Sequence, residues 1–484
     1  MKSAPQPPRV ARDLGWAVAF GLVIDIWADG PAGAGVFIAA AVAAGGLVLA
    51  TRPATAAVAF LAAGTVSVGF VVVRASPVLA GIDVASGMSF FALAAAFARE
   101  GDPLRTGLRA YATRGLGWIA SVRPALGVLA APVARLRPAD TRLLPAVPRI
   151  FLVSLPVGLV FALLLGSADA VFADLLRSPF ERVPFPELPR HLLIVGVAGA
   201  GFMLLAVRAS TPLRLERAAT PIEGGVLRPA DWISLLVTVD VLFALFVAVQ
   251  LFTFFGGRRH VLTEAGLSFA EYARSGFWQM LVAATLTGAV IAGAWIGGRP
   301  SAGRRRVWFV VLSTLLVALA MVVLASAFHR LVLYETAFGY TWPRLIPHVA
   351  ILLTGALLTC GVIAIVSGRT AWLSSAALGL GFVALIGLNL LDPEAFIADR
   401  NIARVERGHG LDTSELASLS ADAVAPIVTA LPTLDPSTQV TVKQQLSCLR
   451  AELRGDVERY GWASFNAARD IALERLNQIV LPPC

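Results

Sequence analysis

Most of residues 14 to 391 consists of apolar runs about as long as a bilayer is thick, parted by short polar loops to which arginine keeps returning. A hydrocarbon core about 30 Å deep needs roughly 20 apolar residues of helix. With no water in that core, each backbone N–H and C=O must find its partner within the spanning structure. The pattern therefore predicts an all-α, polytopic transmembrane bundle. Spans are expected near 14–28, 33–50, 55–73, 77–98, 150–172, 191–207, 231–255, 277–297, 307–328, 347–366 and 372–391, about eleven helices. The first is short, contains Asp25 and resembles a signal-peptide core. It is kept as a helix because no small-residue cleavage site follows it. Charged residues make up 15% of the chain, against about 25% in soluble domains, and the shortfall lies in the span region.

The loops alternate between Arg-rich and Arg-poor. With the N-terminus inside, the inner segments carry 22 Lys and Arg residues and the outer loops carry 9. Positive residues stay on the cytoplasmic side, so a cytoplasmic N-terminus is expected, with Arg304, Arg305 and Arg306 as an inner anchor. Eleven crossings then put the C-terminal tail outside. The location expected is a bacterial plasma membrane. The net charge of +9 sits beside apolar helices and fits anionic lipid headgroups rather than nucleic acid.

Four regions follow. Residues 1–98 hold four spans. Residues 99–149 form an Arg-rich cytoplasmic loop with an interfacial helix, and residues 150–391 hold seven spans. Residues 392–484 form a small helical extramembrane domain with 13 acidic and 9 basic residues, where a protein partner of the envelope could dock. Helices are expected there at about 393–408, 413–431, 437–454 and 462–479, with Asp412, Thr413 or Ser414 as a cap and Pro436-Ser437 as a start. Cys360 reads as a small apolar residue within a span. Cys448 and Cys484 could bridge if the tail is outside, and their pairing stays open.

The sequence has no phosphate-binding loop, no H-E-x-x-H, no C-x-x-C and no G-x-S-x-G. Lys2 and Lys443 are its only lysines, which excludes a catalytic lysine in the membrane region. No cofactor and no metal are expected. Two sets of residues stand out. Asp83 and Asp240, with Asp169 near a span's end, are acids in apolar runs. A charge there costs roughly 2.5–3.5 kcal/mol even on insertion scales, so such a group lines a path, pairs, or bonds between helices. The second set lies in the outer loops, to which all the histidines except the tail's His409 map. Catalytic candidates are Glu271, His329 and Glu335, because imidazole with carboxylate suits acid–base work. Trp and Tyr in these segments also fit an interfacial belt.

The stretch Phe269-Ala-Glu271-Tyr272-Ala-Arg274-Ser-Gly276-Phe277-Trp278-Gln279 resembles a signature of a bacterial polytopic family known only as a domain of unknown function, of the 4153/4173 type. So do His329-Arg330-Leu-Val-Leu-Tyr334-Glu335-Thr-Ala-Phe-Gly339-Tyr-Thr341 and Ser167-Ala-Asp169-Ala-Val-Phe172. In the tail, Asn401-Ile-Ala-Arg404, Leu419-Ser-Ala-Asp-Ala423 and Trp462-Ala-Ser-Phe-Asn466 resemble it too. Where the family has Asn-Pro at the tail's start, this chain has Asp392-Pro393. The resemblance covers roughly residues 150 to 480 and carries no known activity, so Tyr272, Arg274, Trp278, Gln279, Arg330 and Tyr334 become site candidates without roles. Three functions are weighed. Permease-like transport or conduction of a small solute ranks slightly ahead. An outer-face membrane enzyme acting on envelope or lipid-linked material needs Glu271, His329 and Glu335 to converge. The third is an envelope scaffold or signalling partner.

Overall fold

A computed structural model of the chain describes residues 16, 18–22, 30–51, 54–98, 188–210, 229–255, 277–298, 303–405 and 407–484. Among them every regular element is helical. The membrane part comprises α1 (Ala34–Thr51), α2 (Thr55–Gly69), α3 (Pro77–Phe97), α4 (Leu188–Ser210), α5 (Pro229–Phe255), α6 (Phe277–Gly298), α7 (Gly303–Phe338), α8 (Trp342–Ser367) and α9 (Leu373–Leu391). The tail adds α10 (Pro393–Val405), α11 (Thr413–Ser418), α12 (Val424–Ala430), α13 (Pro436–Tyr460) and α14 (Ala467–Asn477). Six of the described helices are long and apolar enough to cross a membrane: Thr55–Val72, Pro77–Phe97, Pro229–Ala248, Gly303–Phe338, Trp342–Ser367 and Leu373–Leu391. The protein is thus a multi-pass, membrane-embedded helical bundle. Shorter apolar helices run over Ala34–Leu49, Ile194–Ala206 and Met280–Ile296. The expected span at 150–172 and the loop at 99–149 lie outside the described residues, as does most of 14–28.

The described chain packs as two compact units, the first holding α1 to α4 with residues 452–467. Its core is rich in small side chains, among them Ala40, Ala43, Ala57, Ala94, Ala95 and Ala206, with Phe91, Phe202 and Met203 as the large members. Helices that associate in lipid gain little from apolar burial, because the tails are as apolar as they are. Small residues that let backbones approach are what draws them together. The α2–α3 pair shows this directly. A Cβ on Gly64 would stand 2.9 Å from the Gly87 carbonyl oxygen, and one on Gly87 would stand 2.9 Å from that of Gly64. Ser76 caps α3 through the Leu79 N–H, with Pro77 in its first turn.

The second unit is organised on α7, which packs against α5, α6 and α8. The Phe309 ring lies 5.7 Å from Trp232 of α5 and 5.3 Å from Trp295 of α6. The same apolar core runs on through Leu236, Leu281, Leu316, Val323 and Ile351. One expectation is corrected here. The sequence reading ended this span at 328 and took 329–346 as loop, but α7 continues to Phe338 and α8 already begins at Trp342. Nothing between Phe328 and Phe338 breaks a helix, and the first residue to leave it is Gly339, at φ +83°. Pro343 fits the first turn of α8, and Pro347 follows only one turn later, where it removes few backbone bonds.

At the tail's start Asp392 does two jobs. It closes α9 in the left-handed region, at φ +52°, and its carboxylate accepts the Ala395 N–H at 3.4 Å in the first turn of α10. Asn and Asp are the residues that tolerate left-handed geometry and also cap helices, so Asp-Pro can serve where the related family has Asn-Pro. Asp412 caps α11 as expected, accepting the Ser414 and Glu415 N–H groups at 3.0 and 3.1 Å. The Ser414 hydroxyl first, then these amides, hold its carboxyl below the usual range. The helix expected over 413–431 is broken at Leu419, in extended backbone, where a Ser420-capped turn begins. Cys448 and Cys484 are joined as a disulfide. Beside it the Ser447 hydroxyl and Gln444 amide donate to the Pro482 and Pro483 carbonyls, so the last residues lie along α13.

The glycine contact gives a controlled prediction. Gly87→Val should lower the thermal stability of the detergent-purified protein by about 1–3 kcal/mol, the range for overpacking. Gly81→Val on the same helix, where a Cβ meets nothing within 4 Å, should do much less. Equal losses in a thermal-unfolding assay would show that the α2–α3 backbone contact does not matter.

Candidate functional site

An α-helix ends with four carbonyls that have no partner of their own and a partial negative charge. In the second unit, arginines satisfy them at the end of α7. Arg404 of α10 donates from Nη2 to the Thr336 and Ala337 carbonyls at 3.3 and 3.0 Å. Arg344 of α8 donates from Nη1 to the Phe338 and Gly339 carbonyls at 2.9 and 2.6 Å. Its guanidinium also lies 4.4 Å from the centre of the Tyr334 ring, a cation–π arrangement. The turn itself is clamped by Asn401, whose Oδ1 accepts the Tyr340 N–H at 2.7 Å while its Nδ2 donates to the Tyr340 carbonyl at 2.8 Å. A Cβ on Gly339 would meet Arg404 Nη1 at 2.5 Å and Asn401 Oδ1 at 2.7 Å, so glycine is required there for space as well as for φ. Two helical turns before Asn401, the buried Glu394 accepts the Trp342 indole N–H at 2.9 Å and the Ser420 N–H at 2.5 Å. Burial, then the Glu335 carboxylate, push the Tyr340 hydroxyl above its ordinary range despite Arg400, Arg407 and Arg404 nearby.

Inside this cap lies Glu335, only 2% exposed. Its Oε1 stands 3.4 Å from His348 Nδ1, which is also 3.2 Å from the Arg344 carbonyl. The Nδ1 hydrogen bond goes to the Arg344 carbonyl, while Glu335 Oε1 makes no hydrogen bond among the described residues, and the Phe328 ring, edge-on at 4.8 Å, closes another side of the imidazole. The acid and base are brought together, Glu335 buried and His348 partly buried.

The candidates read from the sequence fall into distinct places. Glu335 meets His348 rather than His329, which lies six residues earlier on α7. That is roughly 9 Å along the axis and about a third of a turn around it. Tyr334 is a structural neighbour of Arg344, and Arg330 is half-buried on the same helix. Trp278 and Gln279 belong to the first turn of α6. Glu271, Tyr272, Arg274 and Asp169 lie outside the described residues. Sequence reasoning placed His348 at a helix end but gave it no partner. The signal was the hairpin itself, since residues before and after Gly339–Thr341 must face each other.

The intramembrane acids differ from this pair. Asp83 is fully buried in α3, in the first unit. Asp240 of α5, in the second unit, is 5% exposed, and among the described residues neither carboxylate oxygen has a hydrogen-bond partner. The Trp232–Phe309–Trp295 contact sets the three helices in register. About 12 Å along the axes from it, at 1.5 Å per residue, come Asp240 on α5 and Thr287 on α6, with Ser313 on α7 about halfway to that level. Thr287 and Ser313 are also buried, and the Ser313 hydroxyl has no partner among the described residues. Among the described residues no group of three or more His, Cys, Asp or Glu could hold a metal ion.

The expectations from motif resemblance meet one independent comparison. The sequence profile of a family described as a domain of unknown function (DUF4153) matches residues 35–430. No curated protein and no solved structure matches the chain.

The cap can be probed at two glycines of nearly equal φ. Gly339→Ala and Gly408→Ala both force a side chain to φ near +84°, but only Gly339 is crowded. Gly339→Ala should therefore cost about 1–3 kcal/mol more in thermal unfolding, within the range for overpacking. Asn401→Ala, which leaves both Tyr340 backbone groups unpaired, should cost about 1–3 kcal/mol. A Gly339→Ala variant no weaker than Gly408→Ala would mean that the tail does not clamp this turn.

Proposed function

The chain belongs to this DUF4153 family, and we propose that it is a permease-like membrane protein that moves a small solute across the bilayer, with Asp240 as the group that engages the solute or a coupled cation. One observation carries the reading: a carboxylate, nearly fully buried among apolar membrane helices, to which the described residues offer no hydrogen bond. A charge at such depth is costly and is kept where it pairs or serves a path. Glu335 has the His348 imidazole 3.4 Å away, whereas both carboxylate oxygens of Asp240 are left with valences for something that comes and goes. The Thr287 hydroxyl at its level supplies a neutral oxygen of the kind that completes a small polar site.

In this proposal the protein lies in a bacterial plasma membrane with about eleven crossings, its N-terminus cytoplasmic and its tail outside. The arginine asymmetry of 22 to 9 supports the orientation. The Cys448–Cys484 bridge supports an oxidising compartment for the tail, since disulfides persist there and are rare in the cytosol.

Thiol accessibility tests the transport reading. Cys360 is the free cysteine, so a Cys360→Ala background is silent to maleimide. In it, Asp240→Cys in membrane vesicles should react with a water-soluble maleimide at least tenfold faster than Leu242→Cys, whose parent side chain is 59% exposed on the bundle's lipid-facing side. Thr287→Cys provides a second position at the same level. If both inward cysteines are as unreactive as Cys at 242, no aqueous path reaches this level and the proposal fails. The orientation has its own measurement. Alkaline phosphatase fused after Leu391 should be active, and an inactive fusion would put the tail inside.

A further inference from the structure

We propose that residues 461–465 of the tail form a lipid-interface anchor, with Trp462 and Phe465 set into the headgroup layer of the leaflet next to the α2–α3 turn. The segment is latched to the ends of membrane helices of its own unit by one main-chain bond and by the side chain of the residue that follows it. Asn466, fully buried, donates from Nδ2 to the Val71 carbonyl at 2.8 Å and to the Arg74 carbonyl at 2.7 Å. The Ala34 N–H at the start of α1 donates to the Phe465 carbonyl at 2.9 Å. Gly33 completes the latch, since a Cβ there would stand 2.7 Å from the Phe465 oxygen and 2.9 Å from that of Ser464. Because α2 and α3 are long and apolar enough to cross a bilayer, their shared turn lies at its boundary, and whatever is bonded to that turn lies at the same depth.

At that depth the segment turns large aromatic side chains outward. Trp462 is 65% exposed and Phe465 is 45% exposed, while Val73 and Val78 of the turn are also exposed. An exposed Trp beside the end of a spanning helix suits the interface, where its apolar ring and polar N–H each find their medium. Val66, Val73 and Val78, exposed on the two apolar helices and their turn, face the same medium, and the segment is bonded to that turn, which makes phospholipid rather than a second protein its occupant. Exposed Arg454 and Arg459 precede it on α13, as do exposed Glu452 and Glu458, so the anchor works through its aromatic pair and not through net charge.

Depth-resolved quenching of the full-length protein tests this. In the Cys360→Ala background, Trp462→Cys labelled with an environment-sensitive nitrobenzoxadiazole dye would be reconstituted in phosphatidylcholine–phosphatidylglycerol nanodiscs. Lipids with a spin label high on the acyl chain should quench it at least threefold more than lipids labelled near the chain end. A dye at Val480→Cys, whose parent side chain is 91% exposed, should be barely quenched by either. A second measurement needs no label: Trp462→Ala should remove a component of the tryptophan emission that brominated lipid quenches in the wild type. If the 462 dye behaves as the 480 dye does, and Trp462→Ala leaves lipid quenching unchanged, the aromatic pair stands in water and the proposal is overturned in favour of a protein-binding face.

Discussion

The second unit depends on how one long helix is ended. At 36 residues α7 is the longest helix described and the one on which α5, α6 and α8 pack. Its final carbonyls point into a turn of only a few residues, where a bare helix terminus would leave them unpaired. Arg344 and Arg404 remove that cost with charge-assisted hydrogen bonds, which also complement the helix dipole. The other end of the α7–α8 hairpin mirrors the solution. There Arg306, in the first turn of α7, reaches the Val366 carbonyl as α8 ends at Gly368, in the left-handed region. Each helix thus lends an arginine to the terminus of the other, and the two ends are held by the same chemistry.

This arrangement recasts the residues that carry the family resemblance. Read along the chain they looked like separate signatures, one in a loop and several in the tail. In space they are partners. Asn401 and Arg404 of one tail signature hold the backbone of the Tyr334–Thr341 signature, and Ser420 of another meets Glu394, which holds Trp342. Asn466 of the third holds the α2–α3 turn. These side chains are spent on docking the tail to the ends of membrane helices. Acid and imidazole in one loop suggested acid–base chemistry, and the acid that meets an imidazole is Glu335, beside His348 beneath the cap.

Most of the membrane bundle was legible in the sequence because the bilayer demands long apolar runs and tolerates little else. The spans read at 55–73, 77–98 and 372–391 lie within a residue or so of the helices found. Reading failed where the medium stops dictating. Beyond Phe328 the chain is polar and aromatic enough to look like a loop, but in water as in lipid a helix continues until something stops it, and the stop is Gly339. The candidate site was legible as a set of residues and not as a geometry. Tyr340 and Asn401 are 61 positions apart, and Val71 and Asn466 are 395 apart. No local period or spacing encodes such pairs. Asp240 was visible because a single carboxylate in an apolar run needs no partner to be noticed.

Glu335 and Asp240, two buried acids of the second unit, then separate by what surrounds them. Glu335 is near the end of its helix, within reach of an imidazole on α8 and close to the Arg344 and Arg404 guanidiniums that hold the cap. Removing a partner there would leave the rest of the network unsatisfied, which is the behaviour of a structural group. Asp240 lies well inside α5, above the aromatic contact that locks three helices together, and the described structure closes no network around it. A charge buried without a partner is costly, so Asp240, as the described residues surround it, does not add to the stability of the fold. In the proposed reading that cost is offset by what the carboxylate binds.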